Sequence, residues 1–570
     1  MNNEGSSCRS LDLEALGRMR FKDLTVAEIK LLRAASTQDY AVCGPNMLTD
    51  DKNNDSRVGH TWPEDRSIRA ELVRWICVDA CAKALVDPQG VQVFGARISG
   101  VVDLSSVTVP FPVTLRNCRL TDGLNVGSTR ISELDLQGAC VESIYAYRLR
   151  VDGSVFFRNG FCAVGEVRIL GAEIGGNVEC DGGAFERALH ADGARISGSV
   201  FLRKRFRSKG EVRLLGAVIG GNLECDGSTF ENPPRQGSGR DESALNADGA
   251  SVKGDVFLRR GFCSDGDVSF VGAQIGGDLD CRAARINGQL DARRAVIKGV
   301  MFWHDIVDPT TAVLNLEDAS AYALYDDSPS WPSNGNLRVD GFVYLAIGQN
   351  PATARNRLGW LARLNQFSPQ PYRQLAKALR DSGDEDDALE ILVEMERQKR
   401  LGHFYARPAS AALRWTIGYG YHPLWAFWEL IGLAGLGWII YRRAHLARAI
   451  TPTDKDAYEW YKHNDAPPAH YARFSPLVFS LENSLPLVKL GQADRWQPAP
   501  DPQISVVHQT IRSRLDRFWH LMTSPRSLWQ FLATTTKSPV FLRRFLWIQI
   551  ILGWILATLF AAGVTGIIRN

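Results

Sequence analysis

A glycine that returns every eleven residues constrains this chain more than any other feature. Gly266, Gly277, Gly288 and Gly299 keep that spacing, and each is followed two and four places on by residues suited to an interior: Val268 and Phe270, Leu279 and Cys281, Leu290 and Ala292, Met301 and Trp303. A second apolar pair closes each unit, as in Ala273 and Ile275, Ala284 and Ile286, or Ala295 and Ile297. Alternation of period two marks short strands, so a unit holds about two of them. The frame runs back through Gly254, Gly221, Gly210, Gly198, Gly176 and Gly165, with longer steps where a unit lacks its glycine. One long step contains Asn232 to Ser243, rich in Pro, Gly, Arg and Asp, which reads as a loop extruded between coils.

Two units, about 22 residues, make one four-sided coil at a rise of roughly 4.8 Å, with a three-sided coil left open. From Gly95 to about Trp303 this gives about nine coils and a rod roughly 40 Å long. The fold expected is therefore mainly β: a right-handed parallel β-solenoid over residues 91–345. The glycines are assigned to corners that need positive φ, and alanine to a narrow interior. A second period is superimposed, because Gly-Glu-Val-Arg at 165 recurs at 210 and Glu-Cys-Asp-Gly at 179 recurs at 224. The units are not interchangeable.

Cysteine and histidine give little sign of chemistry. The eleven cysteines, none beyond Cys281, read as free thiols rather than a disulfide framework, and Cys180, Cys225 and Cys281 share one place in the unit, as an interior column would. Cys77 and Cys81 lie four apart on a helical pattern, without the histidine or second pair a metal site needs. The ten histidines form no ligand set. The chain carries no phosphate-binding loop, zinc signature or nucleophile elbow, so no catalytic residue, cofactor or metal is assigned. Gly432 to Gly437 imitates a dinucleotide loop, but its spacing is wrong and its apolar setting suits helix packing. A formal charge of +3 gives no reason to expect nucleic acid as a partner.

Helical periodicity over Leu24–Ala35 and Ile68–Lys83 makes residues 1–90 an N-terminal cap for the exposed strand edges of the first coil. Residues 346–408 form a helical linker, with helices at Tyr372–Leu379 and Asp387–Met395 parted by Asp381-Ser382-Gly383-Asp384. Residues 409–570 form a membrane module, in which Pro423–Tyr441 and Phe545–Ile568 are each long enough to cross about 30 Å of hydrocarbon. Tyr421, Trp425, Trp438, Tyr441 and Trp547 suit the interfaces, and Glu429 stands out within the first span. Between the spans, Phe474 to Gly491 surrounds Glu482, Asn483 and Ser484 with apolar residues. An interfacial helix packed on the membrane module is the favoured reading of that stretch, and a pore helix with its filter is the alternative. Glu429, Glu482 and Asn483 are the candidate pore or intramembrane polar residues. Arg442, Arg443, Arg448, Lys537, Arg543 and Arg544 would draw the intervening segment into the cytoplasm, whereas the polar start and the many thiols put the solenoid there. Two ordinary spans cannot satisfy both, and the thiol-containing domain is given the greater weight.

The blocks IRAELVRWICVD at 68–79, the GA-x-I-x-G units, PYRQLAKALRDSGDEDDAL at 371–389 and LGWILATLFAAGVTGIIR at 552–569 together resemble bacterial pentapeptide-repeat-like membrane proteins. The repeat departs from the five-residue A-D/N-L-x-x pattern. The resemblance implies a multi-pass protein of the bacterial inner membrane; similar sequences often bear the label membrane-associated oxidoreductase, for which no motif is present here. The function expected is a membrane-anchored β-solenoid scaffold or sensor that binds the lipid bilayer and a protein partner. The alternatives are a regulated, homo-oligomeric membrane pore or membrane-active effector in antiviral defence, and an oxidoreductase.

Overall fold

In the computed structural model the described residues are 12–49, 51–233, 243–348, 353–401, 407–464, 466–485, 488–499 and 538–565. The chain divides into two compact units, Met1–Ile391 and Leu392–Asn570.

The first unit is a parallel β-solenoid with four-sided coils. Along its first face Val91 pairs with Val113, and the register continues through Leu134, Val155, Val178, Val200, Leu223, Val256, Leu279 and Met301 to Leu324 and Ile347. That makes about eleven turns, nine of them up to Met301 as the glycine spacing predicts. The added turns lie where that spacing has lapsed. The second face stacks Ile98, Leu120, Val141, Ala163 and Phe185. The third stacks Val102, Leu124, Ile144 and Val167, and the fourth Val109, Ile131, Val151 and Ile174. The 33-residue step from Asn222 to Asp255 spans the expected loop, most of which lies outside the described residues. Its base is closed by the Asn232 amide, which donates to the Ser243 carbonyl at 2.9 Å, and Leu223 still pairs with Val256 across it.

The glycines serve two purposes, not one. Gly171, at the start of a GA-x-I-x-G unit, has φ +60°, the left-handed turn expected. The frame glycines Gly176, Gly198, Gly221, Gly254, Gly277 and Gly299 do not. They stack directly, each N–H donating to the glycine carbonyl one coil below, from Gly198 on Gly176 at 2.9 Å to Gly299 on Gly277 at 2.9 Å. A Cβ on Gly299 would lie 2.7 Å from the Gly277 carbonyl oxygen, so this corner demands a bare backbone. Beside it a polar ladder satisfies the next amide: Asn177 accepts from Ser199 N–H, Ser199 from Asn222, Asn222 from Asp255 and Asp255 from Asp278.

The second period corresponds to two coils. The interior column following the first face alternates Phe157, Cys180, Leu202, Cys225, Leu258, Cys281 and Trp303, all buried, so the thiols are separated by bulkier neighbours. Across the interior, Phe161, Phe185, Phe206, Phe230 and Phe262 form a stack with ring centroids 5.3–5.4 Å apart. Phe185 and Phe230 come from strands, whereas the alternating rings come from the residue just before a strand. Outside the same coils, Arg203 stacks 4.1 Å over Phe201 and bonds Asp181 below at 2.9 Å and Glu224 above at 2.7 Å; Arg259 repeats this with Phe257, Asp226 and Asp280.

Four helices precede the coils: α1 (Leu13–Arg20), α2 (Val26–Ala34), α3 (Ala70–Val78) and α4 (Ala80–Ala84). The expected helix over 68–83 is broken at Asp79, whose carboxylate accepts from Cys81 and Ala82 N–H and starts α4. Extended residues between them continue the ladders, Ala41 beside Val93 and Ser67 beside Arg97. Nine described cysteines are free, but Cys81 is disulfide-bonded, which corrects the reading of every cysteine as a thiol. Beyond the last coil come α5 (Ala354–Leu361), α6 (Pro369–Asp381) and α7 (Glu385–Leu401). Gln370 and Gln374 of α6 donate to the carbonyls of Phe342 and Tyr344, occupying acceptors of the final strand. Arg357 of α5 forms a buried ion pair with Asp326, which also accepts from the Trp331 indole at 2.8 Å.

Candidate site: the membrane-type helices and the helix between them

The second unit contains α8 (Arg407–Ile417), α9 (Leu424–Leu446), α10 (Lys455–Asn464), α11 (Pro476–Ser484) and α12 (Pro539–Val564). Only α9 and α12 are long and apolar enough to cross a membrane among the described residues. Both boundaries differ from the sequence reading. The first helix runs on past Tyr441 through Arg442 and Arg443, and the second begins at Pro539, taking Arg543 and Arg544 into its opening turns. Proline at the first turn of α12 is compatible with a start there, since its missing N–H would have no helical partner.

The short helix α11 packs between these two long ones. Ser480 Oγ donates to the Ala434 carbonyl of α9 at 2.7 Å. Gln549 of α12 donates to Ser480 Oγ at 3.0 Å and Ser484 Oγ at 2.8 Å, and accepts from Tyr441 OH at 2.7 Å. Four polar side chains from three helices thus satisfy one another in a fully buried node. Close approach depends on two glycines: a Cβ on Gly437 would lie 2.2 Å from Ser480 Oγ, and one on Gly553 2.4 Å from the Ser484 carbonyl oxygen. Gly432 and Gly435 meet nothing, so of the glycine-rich run only Gly437 serves packing. Tyr441, assigned from sequence to a membrane interface, is instead buried against Phe479 and Phe545.

The chain then turns back beside the helix it has just left. Phe479 packs near Tyr441, whereas Leu485 joins Leu430 and Leu556. Eleven residues of α9 separate Tyr441 from Leu430, about 16 Å of helix. From there the chain returns: Gln492 donates to the Arg473 carbonyl and accepts from Ser475 N–H, and the Trp496 indole donates to Ala472. The returned segment pairs as a short antiparallel ribbon, Ile450–Pro452 with Trp496–Pro498. Pro486 and Leu487 lie outside the described residues; Val488, Lys489 and Leu490 are exposed.

The three candidate polar residues are not gathered in one place. The Glu482 carboxylate accepts the N–H groups of Gly491, Gln492 and Ala493 at 3.0, 2.7 and 2.9 Å, which ties the return segment to α11. Asn483, next to it, donates to the Phe479 carbonyl one turn back. Glu429 lies on α9 with its residue exposed on the outside of the unit. Sequence reasoning missed the Gln549 node; the signals were a glutamine inside an apolar span and serines four apart on a short apolar helix, on one helical face. Arg543 donates to the Ala499 carbonyl, so its position is partly structural. Among the described residues no three His, Cys, Asp or Glu side chains gather as metal ligands would. Comparison of the chain with family models, with curated proteins and with solved structures finds no match to any of them.

Proposed function

We propose that α9 and α12 span a bilayer, that α11 and its return form a re-entrant loop, and that several copies surround a water-filled path along residues 488–491. The solenoid is the sensor of this assembly and receives a protein partner in the cytoplasm. The resemblance to bacterial pentapeptide-repeat-like membrane proteins, the right-handed coil and the capping role of residues 1–90 belong to the same reading.

One observation carries it: a non-helical return segment with an exposed lysine, Lys489, beside two membrane-type helices. In hydrocarbon such backbone is tolerated only where protein or a water-filled cavity covers it. In a single copy the segment is bare, and a ring of copies around water would cover it. The carbonyl end of α11 then faces the path and favours cations, while Lys489 opposes them.

Purified protein in liposomes tests the reading. Wild type should carry current, and Lys489→Glu should shift the reversal potential toward cation selectivity. Gln549→Leu should abolish the current while leaving the solenoid folded by circular dichroism. Silence of the wild type over a range of voltage, pH and membrane composition, in protein shown to be inserted and oligomeric, would sink the pore. An inserted monomer would leave the membrane-anchored scaffold as the better account, a reading favoured by the stacked, exposed Tyr145 and Tyr147 on the third face of the solenoid.

A further inference from the structure

One row of the second face runs along the outside of the coils and is half cationic: Arg97, Arg119, Cys140, Cys162, Ala184 and Arg207 occupy successive coils in register. Two adjacent members of this outward row are thiols, quite unlike Cys180, Cys225 and Cys281, which point inward and are kept apart. Directly paired residues on neighbouring strands lie roughly 4.8 Å apart at Cα, inside the span a disulfide bridges. Cys140 and Cys162 stand opposite one another in the ladder, and Arg119 Nη1 donates to the Cys140 sulfur at 2.9 Å.

The row is covered here by the short helix Ser56–Thr61. Gly59 lies so close over Arg119 that a Cβ would come within 2.5 Å of the arginine Cβ, and Ser56 Oγ donates to the Gly138 carbonyl at 2.6 Å. Cys140 and Cys162 are 1% and 7% exposed. A cavity of about 250 Å³ is lined by Ser56, Arg57, Gly138, Asn159 and Gly160 among others, and its two glycines each precede one of the two thiols by two residues in sequence. The neighbouring Cys162 thiol and the charges of Arg119 and Arg57 outweigh burial and hold Cys140 below the usual thiol range; Cys162, beside it, is pushed up.

The geometry points to Cys140 and Cys162 as a dithiol that a hydroperoxide oxidises to a disulfide between coils, a redox-modification site of the solenoid. The Cys140 thiolate attacks a peroxide oxygen; the S–O bond forms, the O–O bond breaks and hydroxide leaves. Cys162, losing its proton, attacks the resulting sulfenic sulfur; the S–S bond forms and a second hydroxide leaves. The two thiol protons convert both hydroxides to water, so two thiols lose two electrons and one hydrogen peroxide is reduced to two waters.

The test is a time course of hydrogen peroxide on the full chain, followed by alkylation, digestion and mass spectrometry. Cys263 is the internal control: it occupies the same row, is more exposed, and has no thiol beside it in register. A Cys140–Cys162 linked peptide should appear before Cys263 is oxidised, the reverse of the order that exposure alone dictates. Cys162→Ser should leave Cys140 as a sulfenic acid captured by dimedone, and Arg119→Gln should slow the reaction by about tenfold. No linked peptide, or one that appears only after Cys263 is oxidised, overturns the assignment.

Discussion

The solenoid and the helical unit are held together in opposite ways. In the solenoid each contact recurs: the glycine corner, the polar ladder beside it, the phenylalanine stack and the Arg203 and Arg259 lattices. In the helical unit the decisive contacts occur once, at Gln549 between α9 and α11 and at Glu482 under its return segment. Repetition distributes stability among nearest neighbours, so damage should stay local. A single buried node concentrates it.

The largest expected effect comes from removing one ring of the stack. Phe206 is fully buried between Phe185 and Phe230, and Phe206→Ala should cost about 3–5 kcal/mol. Hydrogen exchange should rise in the coils on either side and hardly at all at Val91 or Ile347. Uniform loss of protection along the rod would show that the coils do not act as near-neighbour units. Gly276→Ala probes the residue just before the stacked glycine Gly277 with one methyl, whose Cβ would lie 2.1 Å from the Lys253 carbonyl oxygen. Backbone cannot yield as a side chain can, so a loss of about 3 kcal/mol is expected, again confined to adjacent coils.

These contacts also show what could be read from the sequence. Coil length and inward positions follow from glycine spacing and period-two alternation, because a solenoid writes each environment many times; the choice of four sides over three came from the strand pairing. The reason for the frame glycines was not readable: φ demand and lack of room select the same residue, and only coordinates separate them at Gly299. The solenoid was expected to reach residue 345, but the count of nine coils stopped at Trp303 because strands such as Ser320–Asp326 keep the register without the glycine. In the helical unit, α9 and α12 were visible from hydropathy, but the setting of Glu482 was hidden, since its partners are backbone amides that leave no mark on side-chain identity.

Gln549→Leu should have a smaller energetic effect with a larger reach. It takes the shared partner from the hydroxyls of Tyr441 and Ser484, while Ser480 keeps its bond to the Ala434 carbonyl, and should cost about 1–3 kcal/mol. Cysteine cross-linking between positions 434 and 480 should fall, because α11 loses its tie to α12. Unchanged cross-linking would mean that apolar packing at Phe479 and Leu485 positions α11 without the node.

The smallest effect separates pH from packing at the start of the solenoid unit. Glu28 is fully buried, closes the capping box of α2 with Thr25, and accepts from Arg69 through the guanidinium at 2.7 and 2.8 Å. Burial pushes its carboxyl up, but the Arg69 hydrogen bonds and the amides of Arg69 and Thr25 outweigh it, and the net shift is downward. A lowered carboxyl binds its proton more weakly in the folded state than in the unfolded chain. Its stabilisation is therefore fully present above the ordinary carboxylate range and is lost as pH falls through the folded value. Glu28→Gln keeps the shape and removes the charge, and should cost about 1 kcal/mol at neutral pH while flattening the acid dependence of amide protection in α2. Because this contact is made once, its loss should mark α2 and the ladder at Ser67 without reaching the phenylalanine stack. An acid slope unchanged in the variant would assign it to other carboxylates, with Glu14 the next to test: Arg33 and Arg18 hydrogen bonds hold it down to about 2.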